Sequence, residues 1–386
     1  MKVAFIGCVE FSASALEALL HHPDAQVVGV ITRASSRINA DFFDLTPQAT
    51  GAGIPCCRIE GNDQAAMLEV LDAWRPDVVY CFGWSYLLKE SILTLPPMGV
   101  IGFHPAALPA NRGRHPIIWA LALGLKRTAS TFFIMEPAAD TGPIISQEPI
   151  EIHDDDDAGS RYRRITEVAV RQTDALTHAL ASGRVEAIAQ DTATANSWRK
   201  RGPSDGIIDW RMPAQGIVNL VHALAPPYLG ADCRTSDGLA KVWEARMHTG
   251  EVAPNHEPGK VLATAPGSLL VKCGDGAVEI LRHEIQPVPG EGSYLPVGAL
   301  PDGNTDIPGR LTESGRRVKR VAIHQPHYLP WPGYFDKIRQ ADLFVYLDNV
   351  QFQRRGFQNR NRIKTANSTS WLTVPVHADR PSRIDT

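Results

Sequence analysis

The chain has 386 residues, enough for about two or three domains, and its 44% hydrophobic and 21% charged residues are typical of a globular protein. The formal net charge of -3 lacks the basic excess that neutralises phosphates, which argues against nucleic acid as a partner. The six cysteines contain no C-x-x-C pair, so the common zinc spacings are excluded and reduced thiols in the cytoplasm are expected. We find neither a signal peptide nor an apolar run of transmembrane length, and expect no membrane partner.

Short apolar runs alternate with helical patterns over residues 1–150. Because these runs are continuous rather than alternating, they predict a Rossmann-like α/β fold, with a mostly parallel sheet and helices on both faces. The predicted strands are residues 3–6, 27–32, 77–82, 100–103, 131–135 and 144–147. The predicted helices are residues 12–20, 65–74, one that begins near 117, and about 160–180.

Gly7 ends the first predicted strand and precedes a helix, an arrangement that is able to bind an anion. Val9 and Ser12 stand where the second and third glycines of the G-x-G-x-x-G motif belong. The sequence therefore argues against a nicotinamide site.

Four consecutive acids occupy positions 154–157. Clustered carboxylates are able to bind a hard cation, so a metal site is one interpretation. These acids also precede the predicted helix at 160–180, where negative charge stabilises a helix N-terminus. We favour the structural interpretation and predict no metal.

Beyond about residue 200 the pattern changes to short strands and turns, after a short helix at 214–223. Strand-like runs separated by turns such as Gly274-Asp275-Gly276 predict a small β domain that is barrel-like, of the OB type. A stretch rich in Pro, Gly and polar residues then predicts a linker. The predicted divisions are a catalytic domain at 1–203, the β domain at 204–300, the linker at 301–317 and a third, partial segment at 318–386.

A histidine and an aspartate follow strands of the predicted sheet. His104 stands where the fourth predicted strand ends, because Pro105 cannot continue the ladder. Asp140 lies in a turn between the last two predicted strands. At the carboxyl ends of such strands, where ligands bind, an imidazole and a carboxylate would take a proton from an amine and stabilise the resulting charge. The spacing alone leaves a purely structural role for His104 open.

Several motifs around these two residues resemble those of the N10-formyltetrahydrofolate-dependent formyltransferases. They are HPxxLPxxRG at 104–113 and DTG at 140–142. The resemblance extends over residues 1 to about 300 and includes RPD at 75–77, FGWSY at 82–86, KRxPxDGxIDW at 200–210 and PPY at 226–228. It implies direct formyl transfer from N10-formyltetrahydrofolate to an amine, with His104 and Asp140 as catalytic residues and no metal.

The resemblance also implies which residues contact the folate. The turn at 82–86 would bind the pterin through backbone groups and apolar side chains, although its aromatic residues suit a protein core equally well. The implied folate-binding residues are Phe82, Gly83, Trp84, Ser85, Tyr86, Arg112 and Gly113.

One position departs from the family motif. The family carries Asn two residues before the histidine, where it helps to hold the oxyanion, and this chain has Gly102. Losing an oxyanion donor costs roughly 2.7–4 kcal/mol. The side chain of Asn111 and the backbone N–H groups of the loop are candidate replacements, and the sequence does not decide between them.

The acceptor amine belongs to one of the family's two main classes, a nucleotide-linked amino sugar or methionyl-tRNA. GWS at 83–85 and RGR at 112–114 resemble the sugar-modifying branch. We therefore predict an amino-sugar N-formyltransferase, with a methionyl-tRNA formyltransferase as the alternative and a non-catalytic binding protein as a third. The sugar's diphosphate would lie toward the loop after Gly7 or the basic groups near Arg112 and Arg114. The oligomeric state stays open, with a homodimer as one option.

The C-terminal segment carries a second resemblance. AIHQPHYLPW at 322–331, GYFDKI at 333–338, DxVQ at 348–351 and QNRNRIK at 358–364 resemble the WbqC-like family, and about the first third of such a domain is recognisable. Members of that family accompany surface-polysaccharide biosynthesis, which implies the same setting here. A density of His, Asn, Arg and aromatic residues suits a polar ligand site, but a partly ordered tail is an equal alternative.

Overall fold

The computed structural model describes residues 1–35, 40–297, 321–324, 338, 343–346, 360–364 and 369–373. The chain divides into two compact units, Met1–Ala299 and Leu300–Thr386. No helix in the described part of the chain combines the length and the apolar character that a membrane span requires.

The first unit is built on a seven-stranded sheet with the order β3-β2-β1-β4-β5-β7-β8. Its first five strands run parallel, which confirms the predicted Rossmann-like class. The strands of this part of the chain are β1 Lys2–Ile6, β2 Gln26–Thr32, β3 Cys56–Arg58, β4 Val78–Cys81, β5 Val100–His104, β6 Arg112–Gly113, β7 Arg127–Ile134, β8 Ile144–Glu151 and β9 Ser197–Trp198.

The last two strands of this sheet, β7 and β8, run antiparallel to their neighbours. The connection between them spans only residues 135–143, and a connection this short joins antiparallel strands, since a parallel pair needs a crossover of a dozen or more residues. The hairpin that results carries Asp140 back toward the end of β5.

Helices cover both faces of the sheet, as the sequence predicted. On one face α1, α2 and α6 pack over a core that contains Phe5, Tyr80 and Phe82. On the other face α3 and α4 pack over Ile6 and Val79. The helices are α1 Glu10–Leu20, α2 Thr46–Gly51, α3 Gln64–Trp74, α4 Glu90–Leu93, α5 Pro116–Ala122, α6 Ala158–Ala181 and α7 Ala214–Leu224.

The acidic run at 154–157 organises the start of α6. Asp157 caps the helix by accepting a hydrogen bond from the Ser160 N–H at 2.8 Å. Asp156 is buried and accepts two hydrogen bonds from the guanidinium of Arg164, at 2.6 and 2.9 Å. Within the described residues no group of His, Cys, Asp or Glu is placed to hold a metal ion. This arrangement fits the structural interpretation of the run.

After the first sheet, α7 packs on a five-stranded antiparallel sheet with the order β10-β11-β14-β13-β12. Ile217 and Val221 of α7 share a core with the fully buried Trp210 and with the inner faces of the strands. The strands are β10 Ala231–Thr235, β11 Gly238–Met247, β12 Val261–Ala265, β13 Ser268–Lys272 and β14 Ala277–His283. The predicted helix at 214–223 and the small β domain are confirmed.

The second unit contains two described strand pairs. The pair β15 (Val321–His324) and β16 (Leu343–Tyr346) is parallel, and the pair β17 (Arg360–Lys364) and β18 (Thr369–Thr373) is antiparallel. The predicted linker at 301–317, the motif at 348–351 and most of the motifs at 322–331 and 333–338 lie outside the described residues.

Candidate active site

His104 ends β5 and is only 4% exposed. Its Nε2 lies 2.8 Å from the carbonyl oxygen of Asn111, a residue held in the left-handed region with φ 66°. A carbonyl oxygen only accepts hydrogen bonds, so Nε2 carries the hydrogen in the neutral imidazole. The basic nitrogen of His104 is therefore Nδ1.

Asp140 faces that basic nitrogen. It lies in the turn between β7 and β8 with φ 56°, and its Oδ2 is 3.7 Å from Nδ1 of His104. This distance exceeds that of a direct hydrogen bond but leaves the carboxylate close enough to stabilise a protonated imidazole. The same Oδ2 accepts a hydrogen bond of 2.8 Å from the Gly113 N–H. The structure thus brings together the two residues that the sequence singled out.

A partly buried brace fixes the turn that carries Asp140. Nε and Nη2 of Arg112 donate to the side-chain oxygen of Gln190 at 3.1 and 2.7 Å. The amide nitrogen of Gln190 donates in turn to the carbonyl oxygens of Asp140, at 2.9 Å, and Gly142, at 2.7 Å. The Arg112 guanidinium, predicted to contact the folate, is thus buried and directed at Gln190.

Two glycines make the close contacts of this brace feasible. At Gly142 a Cβ atom would lie 1.7 Å from the Ile134 carbonyl oxygen, and at Gly113 it would lie 2.3 Å from that of Trp198. Gly113 also has φ +98°, a conformation that side chains rarely adopt. A larger residue at either position would push apart the strands that align Asp140.

Two apolar side chains fill the space beside Gly102. They belong to Phe133, on β7, and to Met135, which directly follows β7. A Cβ atom at Gly102 would lie 2.8 Å from Cγ of Met135 and 2.8 Å from Cζ of Phe133. An asparagine here would have to displace them. This chain therefore lacks the family's oxyanion donor, and other side chains occupy the space that an asparagine would need.

The backbone of the loop 111–114 does not supply the missing donor. The Asn111 N–H donates to Oδ1 of Asn196, and those of Arg112 and Arg114 donate to the carbonyl oxygens of Asn196 and Trp198. The Gly113 N–H binds Asp140. The expectation that N–H groups of this loop replace the asparagine is thus wrong for all four residues, because each is already engaged.

The turn at 82–86 divides into an inner and an outer part. Phe82 is fully buried and stacks on Tyr80, with ring centroids 5.2 Å apart, so its side chain belongs to the core. Trp84 and Tyr86 are partly exposed, 6.3 Å apart, and the Arg33 guanidinium lies 5.3 Å from the Tyr86 ring. The indole N–H of Trp84 is buried without a hydrogen-bond partner in the described part of the chain. Such an unpaired donor at a strand end is suited to a ligand.

The loop after Gly7 is already filled by the protein. The Ser12 hydroxyl donates to the Phe82 carbonyl oxygen at 2.6 Å and accepts from the Val9 N–H at 3.2 Å. A Cβ atom at Gly7 would lie 2.6 Å from the same serine. The prediction of an anion site after Gly7 is therefore not supported, because Ser12 occupies that space.

Two family models match this first unit. The formyl transferase model matches residues 1–177, and the model of the formyl transferase C-terminal domain matches residues 201–291. Together they cover more than half of the chain. The chain belongs to the formyl transferase family. It is an enzyme of that class, which confirms the resemblance. Residues 325–385 match the WbqC-like protein family.

Solved structures with the same fold include two sugar enzymes. WlaRD, a sugar 3N-formyl transferase studied with dTDP and 5-N-formyl-THF, is 13% identical, with 73% of this chain and 97% of that chain covered and a TM-score of 0.57. The N-formyltransferase from Helicobacter canadensis, in complex with folinic acid and dTDP-3-aminofucose, is 14% identical, with 73% and 99% covered and a TM-score of 0.54. HypX from Aquifex aeolicus in complex with tetrahydrofolic acid is 13% identical, with 95% and 52% covered and a TM-score of 0.52.

Proposed function

We propose that this formyltransferase transfers the formyl group of N10-formyltetrahydrofolate to the amine of a nucleotide-linked amino sugar. The observation that carries the proposal is the basic Nδ1 of His104, which faces the Asp140 carboxylate at 3.7 Å in a chain of this family. The neighbours WlaRD and the Helicobacter canadensis enzyme, one described as a sugar formyl transferase and the other bound to an amino-sugar nucleotide, support the acceptor class.

The residues at the strand ends fit a folate. The co-substrate supplies an activated formyl group, and the Trp84 indole N–H offers it an unpaired donor beside the Tyr86 ring. We assign Gly83, Trp84, Ser85 and Tyr86 to the folate-contacting surface. Phe82, Arg112 and Gly113 support that surface and Asp140 from within, because their side chains or N–H groups are engaged by the protein.

His104 acts as the proton acceptor. The amine is neutral when it attacks, and Nδ1 takes up the proton that the nitrogen loses as its bond to the formyl carbon forms. Asp140 then stabilises the imidazolium, while the Asn111 carbonyl holds the ring by accepting from Nε2. The imidazolium returns the proton to N10 of the folate as the bond between N10 and the formyl carbon breaks, and tetrahydrofolate leaves. Since the N–H groups of residues 111–114 are engaged, the side-chain amide of Asn111 and the other N–H groups of the loop are the candidates that stabilise the charge on the formyl oxygen.

Two features of the chain support a cellular setting for this reaction. None of the six cysteines, all of which belong to the described residues, forms a disulfide, as expected in the cytoplasm, where we place the enzyme. A WbqC-like segment on the same chain supports a role in the synthesis of a surface polysaccharide. A homodimer stays a prediction.

A substrate screen tests the proposal. Purified enzyme is incubated with N10-formyltetrahydrofolate and either a panel of amino-sugar nucleotides or methionyl-tRNA, at two salt concentrations, and the products are identified by mass spectrometry. We expect a formylated sugar nucleotide and a modest salt effect, since few phosphates are neutralised. Transfer to methionyl-tRNA alone, with a steep salt dependence, would replace the sugar acceptor by the translation substrate.

A further inference from the structure

Two basic segments that are far apart in the sequence lie side by side next to the active site. The short strands β6 and β9 pair in parallel, with Arg112 opposite Ser197 and Gly113 opposite Trp198. The Arg114 N–H continues this ladder to the Trp198 carbonyl oxygen at 3.1 Å. The pairing therefore aligns RGRH at 112–115 with SWRKR at 197–201.

Three cations of these segments form no direct ion pair with a carboxylate of the described residues. Arg114 and Lys200 are exposed, and neither forms an ion pair with any other described residue. Arg201 is half-buried, with its guanidinium 4.7 Å from the Trp119 ring, and it donates a hydrogen bond to the backbone carbonyl oxygen of Asp205. The nearby acid, Asp205, is bound through both carboxylate oxygens by Arg199 and thus neutralises a fourth cation instead. We call Arg114, Lys200 and Arg201 the basic cluster.

His115 reports the positive potential of the basic cluster. Burial lowers the pKa of its imidazole, and the charges of Arg114, Arg201 and Lys200 lower it further, against an opposing effect of Asp205. The Nδ1 atom of His115 is buried and has no hydrogen-bond partner in the described residues. The positive charge around this ring would therefore attract an anion.

The basic cluster begins one residue after the N–H group that binds the Asp140 carboxylate. Gly113, which donates its N–H to Asp140, directly precedes Arg114. The other predicted places for a phosphate are occupied, since Ser12 fills the loop after Gly7 and Gln190 holds the Arg112 guanidinium. Of the places that the sequence predicted for the diphosphate, the region around Arg114 is therefore the one that presents an exposed cation.

We propose that Arg114, Lys200 and Arg201 bind the diphosphate of the acceptor. The identity of this ligand rests on the proposed function, which the assignment makes more specific. Lys200 supplies a mobile point charge, and Arg114 and Arg201 supply planar guanidinium groups that match phosphate oxygens. Anchoring the diphosphate, which does not react, holds the sugar amine at Nδ1 of His104.

The test uses full-length enzyme and the exposed members of the cluster. R114Q, K200Q and the double variant are compared with two control variants, K126Q and R127Q. The controls remove one exposed lysine and one exposed arginine elsewhere on this unit. Isothermal titration measures the binding of inorganic pyrophosphate, UDP and dTDP, and steady-state kinetics give KM for the sugar nucleotide and for N10-formyltetrahydrofolate. Circular dichroism and thermal melting establish that each variant is folded.

We expect each cluster variant to bind pyrophosphate and its preferred nucleoside diphosphate about tenfold more weakly, the loss expected for a charge-assisted hydrogen bond. The control variants and KM for the folate should not change. Pyrophosphate bound to the wild type should also raise the pKa of the His115 ring, measured by NMR, because an anion favours the charged imidazole.

Unchanged pyrophosphate and nucleotide affinities in the double variant would overturn the phosphate site, even if the enzyme still formylates a sugar nucleotide. A rise in KM for N10-formyltetrahydrofolate alone would overturn it too, because the cations would then hold the carboxylates of the folate tail. If no amino-sugar nucleotide is formylated, the proposed function fails, and the pyrophosphate titration still decides whether the cluster binds phosphate. Binding of methionyl-tRNA without pyrophosphate binding would contradict both.

Discussion

The carbonyl oxygen of Asn111 lies 2.8 Å from Nε2 of His104 and so determines which nitrogen of the ring is basic. Since that carbonyl requires a hydrogen on Nε2, the lone pair of the neutral ring is on Nδ1, which faces Asp140. Asn111 itself has a left-handed conformation, with φ 66°. One backbone group of the loop therefore sets the direction in which a proton moves in the site.

The first prediction concerns the catalytic pair. H104A and D140N should each lower kcat by about 10²–10⁴, the range for the loss of a general acid or base. H104A removes the proton acceptor, and D140N removes the charge that stabilises the imidazolium. The measurement is steady-state formyl transfer, with circular dichroism to confirm the fold. Near-normal turnover in either variant would show that the chemistry uses other groups.

The second prediction concerns the missing asparagine. G102N should not raise kcat and should lower stability by about 1–3 kcal/mol, the cost of overpacking, because its Cβ atom would meet Met135 and Phe133. The double variant G102N/M135A removes one of the two obstructing side chains and should regain stability. The measurements are urea unfolding and kcat for both variants and for M135A alone. A large rise in kcat for G102N would show that the wild type lacks an oxyanion donor.

The third prediction concerns the brace. Q190L should lower kcat by up to about a hundredfold, because small displacements of Asp140 are costly, and should lower stability by about 1–3 kcal/mol through unsatisfied buried groups. KM for both substrates should change little. Q48L is the matched control, since Gln48 also donates two hydrogen bonds but to residues of α1. Equal kcat values for Q190L and Q48L would show that the brace contributes stability alone.

Much of the first sheet was predictable because its strands are continuous apolar runs and its helices are amphipathic. The strand predicted at 100–103 is observed at Val100–His104, and the helix predicted at 214–223 at Ala214–Leu224. Strands of two residues, such as β6 and β9, carry no periodic signal and were missed. The extra length of β7, which begins at Arg127, was missed because its first residues are polar or small.

In the site, sequence motifs pointed to His104 and Asp140 but not to the groups that hold them. Gln190 lies 78 residues from Arg112 along the chain, so no local pattern links the two. The structure shows that Arg112 is buried, and a buried arginine needs a hydrogen-bond acceptor. The sequence alone does not show this burial. The occupied space beside Gly102 depends equally on contacts across strands, which a single sequence does not reveal.

The fourth prediction concerns stability at low pH. Burial by itself would raise the pKa of Asp156, but hydrogen bonds from Arg164, the His153 N–H and Ser160 outweigh it and lower the pKa to about 2. A pKa below the unfolded value means that this stabilisation is complete above about pH 4 and is lost as the pH falls toward about 2. At pH 7 it amounts to about 2 kcal/mol.

D156N should therefore be less stable than the wild type at pH 7, and the difference should shrink as the pH falls below about 4. Urea unfolding at pH 7, 4 and 3 measures it. D154N is the control, since Asp154 is exposed and its one ion pair among the described residues is with the exposed Lys126. A difference between D156N and the wild type that stays constant over this range would show that packing, and not charge, is what Asp156 contributes.

The fifth prediction concerns the C-terminal segment. The residues that form the candidate site and the basic cluster all belong to the unit Met1–Ala299, and the predicted linker follows at 301–317. An enzyme that stops at Thr312 should therefore fold and keep the kcat and both KM values of the full chain within about twofold, since it retains every residue of the candidate site. Thermal melting and steady-state formyl transfer, carried out on both proteins at several enzyme concentrations, check this. A lower kcat that recovers at high enzyme concentration would mean that the segment maintains a needed assembly, whereas a lower kcat at every concentration would mean that it builds part of the site.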